Sequence, residues 1–132
     1  MSRLINPEGL PDPVGFSHAV EASPGRTLYV AGQAGHRGDG SIAQGLVDQF
    51  RQAVANVAAC LDRAGYNTES LVRLHIYTTV VEEYRRSLGP IGEAYRQVFG
   101  RHYPAMALFG VTELFDPAAK VELVATAFAE AD

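Results

Sequence analysis

The chain has 132 residues, which suits one domain with a single hydrophobic core. Its 47% hydrophobic and 20% charged residues are ordinary for a soluble globular protein. The formal net charge of −4 lacks the basic character of nucleic-acid-binding proteins, so we expect no nucleic-acid partner. The single cysteine, Cys60, allows no disulfide within the chain and no cysteine-rich metal site.

The same composition predicts a cytoplasmic protein made of one domain over residues 1–132. The first seven residues lack the apolar stretch of a signal peptide. No apolar run approaches the roughly 18 residues that a membrane-spanning helix needs. The four histidines do not fall at metal-ligand spacing, so we expect no metal site.

The first third of the chain predicts loops and one β-hairpin. Prolines and glycines in residues 6–15 indicate an ordered loop. Strands over residues 16–21 and 27–31, joined by the turn at Ser23-Pro24-Gly25, predict a hairpin. The glycine-rich loop over residues 35–41 lacks the Lys-Ser/Thr ending of a phosphate-binding loop, so its glycines predict turns.

A helix is predicted over residues 42–64, because apolar residues recur there at the 3.6-residue period. Gly65 follows where a glycine commonly ends a helix. Cys60 lies at the margin of the apolar stripe, which indicates a partly buried core residue and not a nucleophile. The stripe consists of Leu46, Phe50, Val54, Val57, Ala58 and Leu61.

The second half predicts a strand, a helix and two further strands. Residues 71–80 alternate, and the face that carries His75 and Tyr77 is too aromatic for a plain solvent face, so it meets a partner chain or a cleft. A helix over residues 81–99 ends at Gly100, and Gly89-Pro90 splits it or kinks its start. Strands over residues 106–112 and 121–129 follow.

These elements give the order β-β-α-β-α-β-β and an α+β fold with two helices on one face of a sheet. The other face then needs a cover, which oligomerisation would supply. Glu122 stands out in the last strand, inside the apolar run 120–125, where a carboxylate is costly to bury unless it is used. It is either a functional acid or the partner of an arginine across a subunit interface.

Several short motifs, each occurring once, follow one another along nearly the whole chain in a specific order and spacing. They are Asn6-Pro7, Phe16-Ser17-His18-Ala19-Val20, Ala31-Gly32-Gln33, Gln52…Asn56, Leu61…Ala64-Gly65, Tyr95…Phe99, Pro104-Ala105 and Val121-Glu122…Ala125. Together they resemble the reactive intermediate deaminase (Rid/YjgF) family. The resemblance implies a chorismate-mutase-like fold, a homotrimer with clefts between subunits, and hydrolysis of enamines or imines of 2-amino acids without metal or cofactor.

The resemblance also marks four departures from the family pattern. In active members an arginine directly after Pro-Ala holds the substrate carboxylate, whereas this chain has Met106, which offers no donor. Gly92 stands where asparagine is common, Leu108 where cysteine is common, and Phe16 where tyrosine is usual. The cleft is therefore expected to be more apolar than in those members.

The resulting hypothesis is an imine or enamine hydrolase of non-standard specificity, acting on a small reactive metabolite. Glu122 would handle protons, and Phe16, Gly32, Met106 and Leu108 would contact the substrate. The substrate would lack a carboxylate at the usual place or bind it through another cation. The alternative is a non-catalytic trimer that binds a small ligand, and a ribonuclease activity has the least support because the chain is acidic.

Overall fold

The computed structural model describes residues 3–131, which form two sheets and three α-helices. A short 3₁₀ turn, Thr68–Ser70, precedes the fourth strand. The elements are β1 (Arg3–Ile5), β2 (Ala19–Glu21), β3 (Gly25–Gln33), α1 (Leu46–Arg63), β4 (Leu71–Thr78), α2 (Val81–Arg86), α3 (Leu88–Phe99), β5 (Ala105–Gly110) and β6 (Val121–Glu130).

The main sheet has the strand order β3-β6-β4-β5. Strand β4 runs parallel to β5, and the other neighbouring strands are antiparallel. Helix α1 packs against β3, β6 and α3, so the helices and the sheet enclose one core. The predicted α+β fold is confirmed, with a short additional strand, β1, ahead of the predicted ones.

Side chains along β4 and β6 alternate between two environments. On β6, Val121, Leu123 and Ala125 are buried under the helices, whereas Glu122 and Val124 are half-buried on the opposite face, which we call the open face. The predicted alternation of the 71–80 strand is confirmed from Arg73 to Thr78, where the strand ends, whereas an irregularity in its pairing between Leu71 and Arg73 buries Leu71 and leaves Val72 half-buried. The sheet therefore presents its polar and aromatic residues on a side that the helices do not cover.

The predicted helices are present with shifted boundaries. Helix α1 begins at Leu46, four residues later than predicted, after Gly45 with φ 84°. Gly65 ends it with φ 83°, a conformation that favours glycine. The second predicted helix is divided at Ser87 into α2 and α3. Pro90 lies in the first turn of α3, where a missing N–H removes no intrahelical hydrogen bond.

The predicted hairpin between residues 16–21 and 27–31 is wrong. Strand β2 pairs with β1 in a separate two-stranded sheet, and β3 pairs with β6. Two long-range contacts draw the chain before β2 away from β3. The His18 N–H donates to the Asn6 side chain at 2.8 Å, and the Ser17 N–H donates to the Pro104 carbonyl at 2.9 Å.

A buried glutamine connects α1 to the two loops that flank the main sheet. The Gln49 side chain is buried, and its Nε2 donates to the carbonyls of Ala43 at 3.1 Å and Ala118 at 2.9 Å. Its Oε1 accepts a hydrogen bond from the Lys120 N–H at 2.7 Å. Because no water is needed to satisfy these groups, the amide fixes both loops against the helix.

We expect Gln49→Ala to lower the free energy of unfolding by roughly 2 to 4 kcal/mol, since three backbone groups would lose their buried partner. Urea denaturation followed by circular dichroism measures the change. Gln97→Ala on the exposed surface of α3 is the matched control and should change stability by less than about 0.5 kcal/mol. Equal stability of the two variants would contradict the role of the Gln49 amide.

Candidate functional site

A cleft lies beside β5, on the side of the sheet that the helices cover. One lobe of about 270 Å³ is lined by Phe16, Met106 and Leu108 together with Ile76 and Tyr84. A second lobe of about 310 Å³ extends toward α3 and shares Ile76, Tyr84 and Met106 with the first. Three of the four predicted substrate contacts therefore line one apolar cleft.

The pairing of β5 with β4 decides where Met106 and Leu108 lie. Met106 is in register with Leu74 and Leu108 with Ile76, and both β4 residues are buried under the helices. Paired residues of neighbouring strands lie on the same face of a sheet, so the two β5 side chains lie on the helix side. Met106 packs against the edge of the core.

A buried serine places Phe16 at the mouth of the cleft. The Ser17 hydroxyl donates to the Tyr103 carbonyl at 2.6 Å, and its N–H donates to the Pro104 carbonyl. These bonds join the loop before β2 to the residues that lead into β5. Phe16 also meets the ring of His18 edge-on, with the ring centroids 5.1 Å apart.

Glu122 and Gly32 lie against each other near one end of the main sheet. A β-carbon at residue 32 would lie 2.8 Å from Cδ of Glu122, so only glycine leaves room for the carboxylate there. Gly32 falls in an irregularity of the β3–β6 pairing between Val30 and Gln33. Its φ is not positive, which means that space and not backbone conformation requires glycine.

The prediction that Gly32 and Glu122 share one site with the apolar residues concerns a cleft between subunits and stays a prediction, because the single chain does not bring them together. Neither Gly32 nor Glu122 is among the residues that line the two cleft lobes. Glu122 is in register with Tyr77 on the open face, whereas Met106 is in register with Leu74 on the helix face. Strand alternation therefore separates the acid from the apolar cleft by the thickness of the sheet.

Glu122 is half-buried, and its carboxylate is without a partner among the residues that the structure describes. Within residues 3–131 the structure contains no hydrogen bond or ion pair to its side chain. An arginine partner inside the same chain is thus absent from the described part. The carboxylate is left available to a water, a ligand or another subunit.

A polar network joins the segment that follows Gly32 to helix α1 and to the loop that precedes Glu122. His36 Nε2 and Asp116 Oδ2 are 2.7 Å apart, and the hydrogen bond from His36 lowers the pKa of Asp116. Asn56 Nδ2 donates to the carbonyls of Ala34 at 3.2 Å and His36 at 2.9 Å. Asn56 belongs to one of the sequence motifs, whereas no pattern in the sequence marks His36 or Asp116 as part of a site.

Aromatic side chains also occupy the open face. The rings of Tyr77 and Phe109 stack with centroids 5.3 Å apart, and His75 meets Phe109 edge-on at 5.6 Å. Phe109 remains 44% exposed in the single chain. The sheet face that carries Glu122 is therefore partly apolar and uncovered.

Residues 3–131 contain no cluster of three or more His, Cys, Asp or Glu side chains placed to hold a metal ion. Among the helices in that range, none is long and apolar enough to cross a membrane.

The chain matches a known protein family over most of its length. The family model described as endoribonuclease L-PSP matches residues 10–129. The chain belongs to this family, also called Rid/YjgF. A Rid family protein of unknown function from Yersinia pestis has a structure that superposes on this one with a TM-score of 0.87. The two are 34% identical, and the match covers 97% of this chain and 98% of the other.

Curated Rid and RutC relatives also match over most of their length. A RutC family protein of Pyrococcus horikoshii is 31% identical over 117 residues, which cover 86% of this chain and 88% of that protein. The human 2-iminobutanoate/2-iminopropanoate deaminase is 28% identical over 95% of this chain and 88% of its own. The expected family is thus confirmed from several sides.

We expect Gly32→Ala to displace the Glu122 carboxylate at little cost in stability, because the clash falls on the end of a flexible side chain. A crystal structure of the variant measures the displacement, and thermal unfolding measures the stability. Gly38→Ala is the matched control, since a β-carbon there meets nothing within 4 Å. An unmoved carboxylate in Gly32→Ala would contradict the contact.

Proposed function

We propose that this Rid family protein hydrolyses small imines, with Glu122 as the residue that moves protons. The observation that carries the proposal is the Glu122 carboxylate, which is half-buried over Gly32 and has no partner within residues 3–131. The likeness to a human 2-iminobutanoate/2-iminopropanoate deaminase supports the same chemistry. Members of one family can differ in substrate, so the specificity is argued from the cleft.

The proposed reaction needs only water and one acid–base group. Glu122 accepts a proton from a water molecule while the water oxygen bonds to the imine carbon. The imine reacts as its nitrogen-protonated form, so the resulting carbinolamine carries a neutral NH2 group. The Glu122 carboxyl group then gives its proton to that nitrogen, and the restored carboxylate takes the hydroxyl proton, which passes on to solvent as the nitrogen departs. The C–N bond breaks, a C=O bond forms, and the products are a carbonyl compound and ammonia. Imines are reactive, so positioning supplies much of the acceleration.

The proposed site is shared between copies of the chain. Glu122 and the Met106 cleft lie on opposite faces of one sheet, so a single copy does not bring them together. A neighbouring copy that packs on the open face would place its own cleft edge beside this Glu122. The uncovered aromatic cluster of His75, Tyr77 and Phe109 supports such packing, and we propose a homotrimer.

The second candidate is a trimer that binds a small ligand without turnover. The specific observation in its favour is Met106, which puts a thioether where a donor would hold a carboxylate. It predicts thermal stabilisation by ligand in the absence of ammonia release. The net charge of −4 argues against nucleic acid as the ligand.

Glu122→Gln should lower kcat/KM for imine hydrolysis by at least about 100-fold, because the amide cannot accept a proton from water. Imines are generated from L-amino acids by an amino-acid oxidase. Semicarbazide then traps the imine that has not been hydrolysed, and the loss of semicarbazone measures the activity. Glu113→Gln, an exposed carboxylate outside the site, is the control. Wild-type protein that accelerates no imine, or Glu122→Gln that matches wild type, would contradict the proposal.

Phe109→Asp should convert the trimer into monomers and remove the activity, since a charge would be buried in the proposed contact. Light scattering after size-exclusion chromatography measures the mass. Leu10→Asp is a matched control, because Leu10 is 46% exposed and Phe109 is 44% exposed. A wild-type monomer, or a trimeric Phe109→Asp, would contradict the shared site.

A further inference from the structure

We infer that Arg96 is the carboxylate anchor of the cleft and that the ligand is a 2-imino or 2-oxo acid with a bulky apolar side chain. The inference deepens the proposed function and rests on it for the identity of the reacting group. It supplies the cation that Met106 cannot provide. It also assigns the side-chain preference, which the family likeness leaves open.

The position of Arg96 depends on the glycine one turn earlier in α3. A β-carbon at residue 92 would lie 3.0 Å from Nη1 of Arg96, 3.7 Å from Cζ and 3.8 Å from Nη2. The outer atoms of the guanidinium group therefore lie over the bare backbone of Gly92, while Arg96 remains exposed to solvent. An asparagine at this position, which the family resemblance leads one to expect, would compete for that space.

The guanidinium and Met106 line the same lobe of the cleft. Gly92 and Arg96 form part of the wall on the α3 side, and Met106 and Ile76 form part of the wall on the sheet side. A ligand in this lobe of about 310 Å³ can thus meet the cation and the thioether together. The cation enters from a helix, whereas the resemblance places it on β5.

Arg96 has no carboxylate partner within residues 3–131. Elsewhere in the helices such pairs do form, as Arg51 pairs with Asp48 three residues earlier. Glu93 stands at the same spacing before Arg96 without pairing with it. The residues that line the two lobes include no Asp or Glu. The guanidinium group of Arg96 is always charged and has no carboxylate beside it. Its paired N–H groups are therefore suited to bind a ligand carboxylate through two hydrogen bonds.

A tyrosine hydroxyl offers a second polar contact in the same cleft. Tyr84 lines both lobes and is buried, and burial raises the pKa of its hydroxyl to about 12. The hydroxyl thus stays protonated at neutral pH, and it has no hydrogen-bond partner within residues 3–131. The Tyr95 hydroxyl, by contrast, already donates to the His102 carbonyl at 2.6 Å. Tyr84 can therefore donate to a ligand oxygen.

The remaining walls of the cleft are apolar and select the ligand side chain. Ile76, Ile91 and Met106 line the lobe beside Arg96, and Leu108 lines the other. Burial of a branched or aromatic side chain against them is favourable, and methionine adapts its shape to such groups. A ligand with only a methyl side chain would leave the lobes largely unfilled.

Isothermal titration calorimetry with phenylpyruvate tests the anchor without any need for turnover. We expect wild-type protein to bind phenylpyruvate at least tenfold more tightly than pyruvate, and more tightly than the carboxylate-free ketone phenylacetone. Arg96→Met should weaken phenylpyruvate binding at least tenfold and leave phenylacetone binding unchanged. Arg96→Lys keeps the positive charge but loses the paired N–H donors of the guanidinium group. Its affinity for phenylpyruvate should lie between those of the wild type and Arg96→Met. Arg101→Met is the matched control, because Arg101 is exposed and does not line the cleft.

The outcomes separate this inference from the proposed function. Arginine-dependent phenylpyruvate binding without imine hydrolysis would leave the anchor standing and overturn the deaminase. Imine hydrolysis with unchanged phenylpyruvate binding in Arg96→Met would overturn the anchor alone. The anchor would also be overturned if Arg101→Met lost phenylpyruvate binding while Arg96→Met kept it. It would be overturned as well if the wild type did not bind phenylpyruvate.

Discussion

Alternation of side chains across β4 and β6 is the constraint on which the rest of the molecule depends. It places Leu74 and Leu123 in the core and leaves Tyr77 and Glu122 on the open face. An acid is tolerated within an apolar strand because its side chain never enters the core. The same alternation places Met106 on the other side, so the proposed acid and the apolar cleft lie on opposite faces of one sheet.

Much of the architecture could be predicted because its signals are local. The 3.6-residue stripe from Leu46 to Leu61 and the alternation from residue 71 onward each lie within one element. The hairpin failed for the opposite reason. The partners of β2 are set by Ser17 and Asn6 through contacts that join distant parts of the chain, and no local pattern specifies them.

The composition of the site was easier to predict than its geometry. Phe16, Met106 and Leu108 line one cleft of the single chain, whereas Gly32 lies on the other face of the sheet, and their roles as substrate contacts stay predictions. Residues 105–109 are apolar at every position, so their sequence does not show which face each side chain takes. Arg96 was missed, although Gly92 four residues earlier carried a signal. A glycine inside a helix often marks a place where another group lies close to the backbone.

The hydrogen bonds of Ser17 also affect how this protein behaves at high concentration. Strand β5 is an edge of the main sheet, and an edge strand is a template for pairing with other chains. Ser17 bridges to Ala105 and thereby covers the first part of that edge. The part of β5 around Leu108 and Phe109 remains an edge within the described chain. The residue whose hydrogen bonds hold the Phe16 loop thus also shortens the edge that β5 offers to other chains, and a substitution that frees the loop would lengthen that edge.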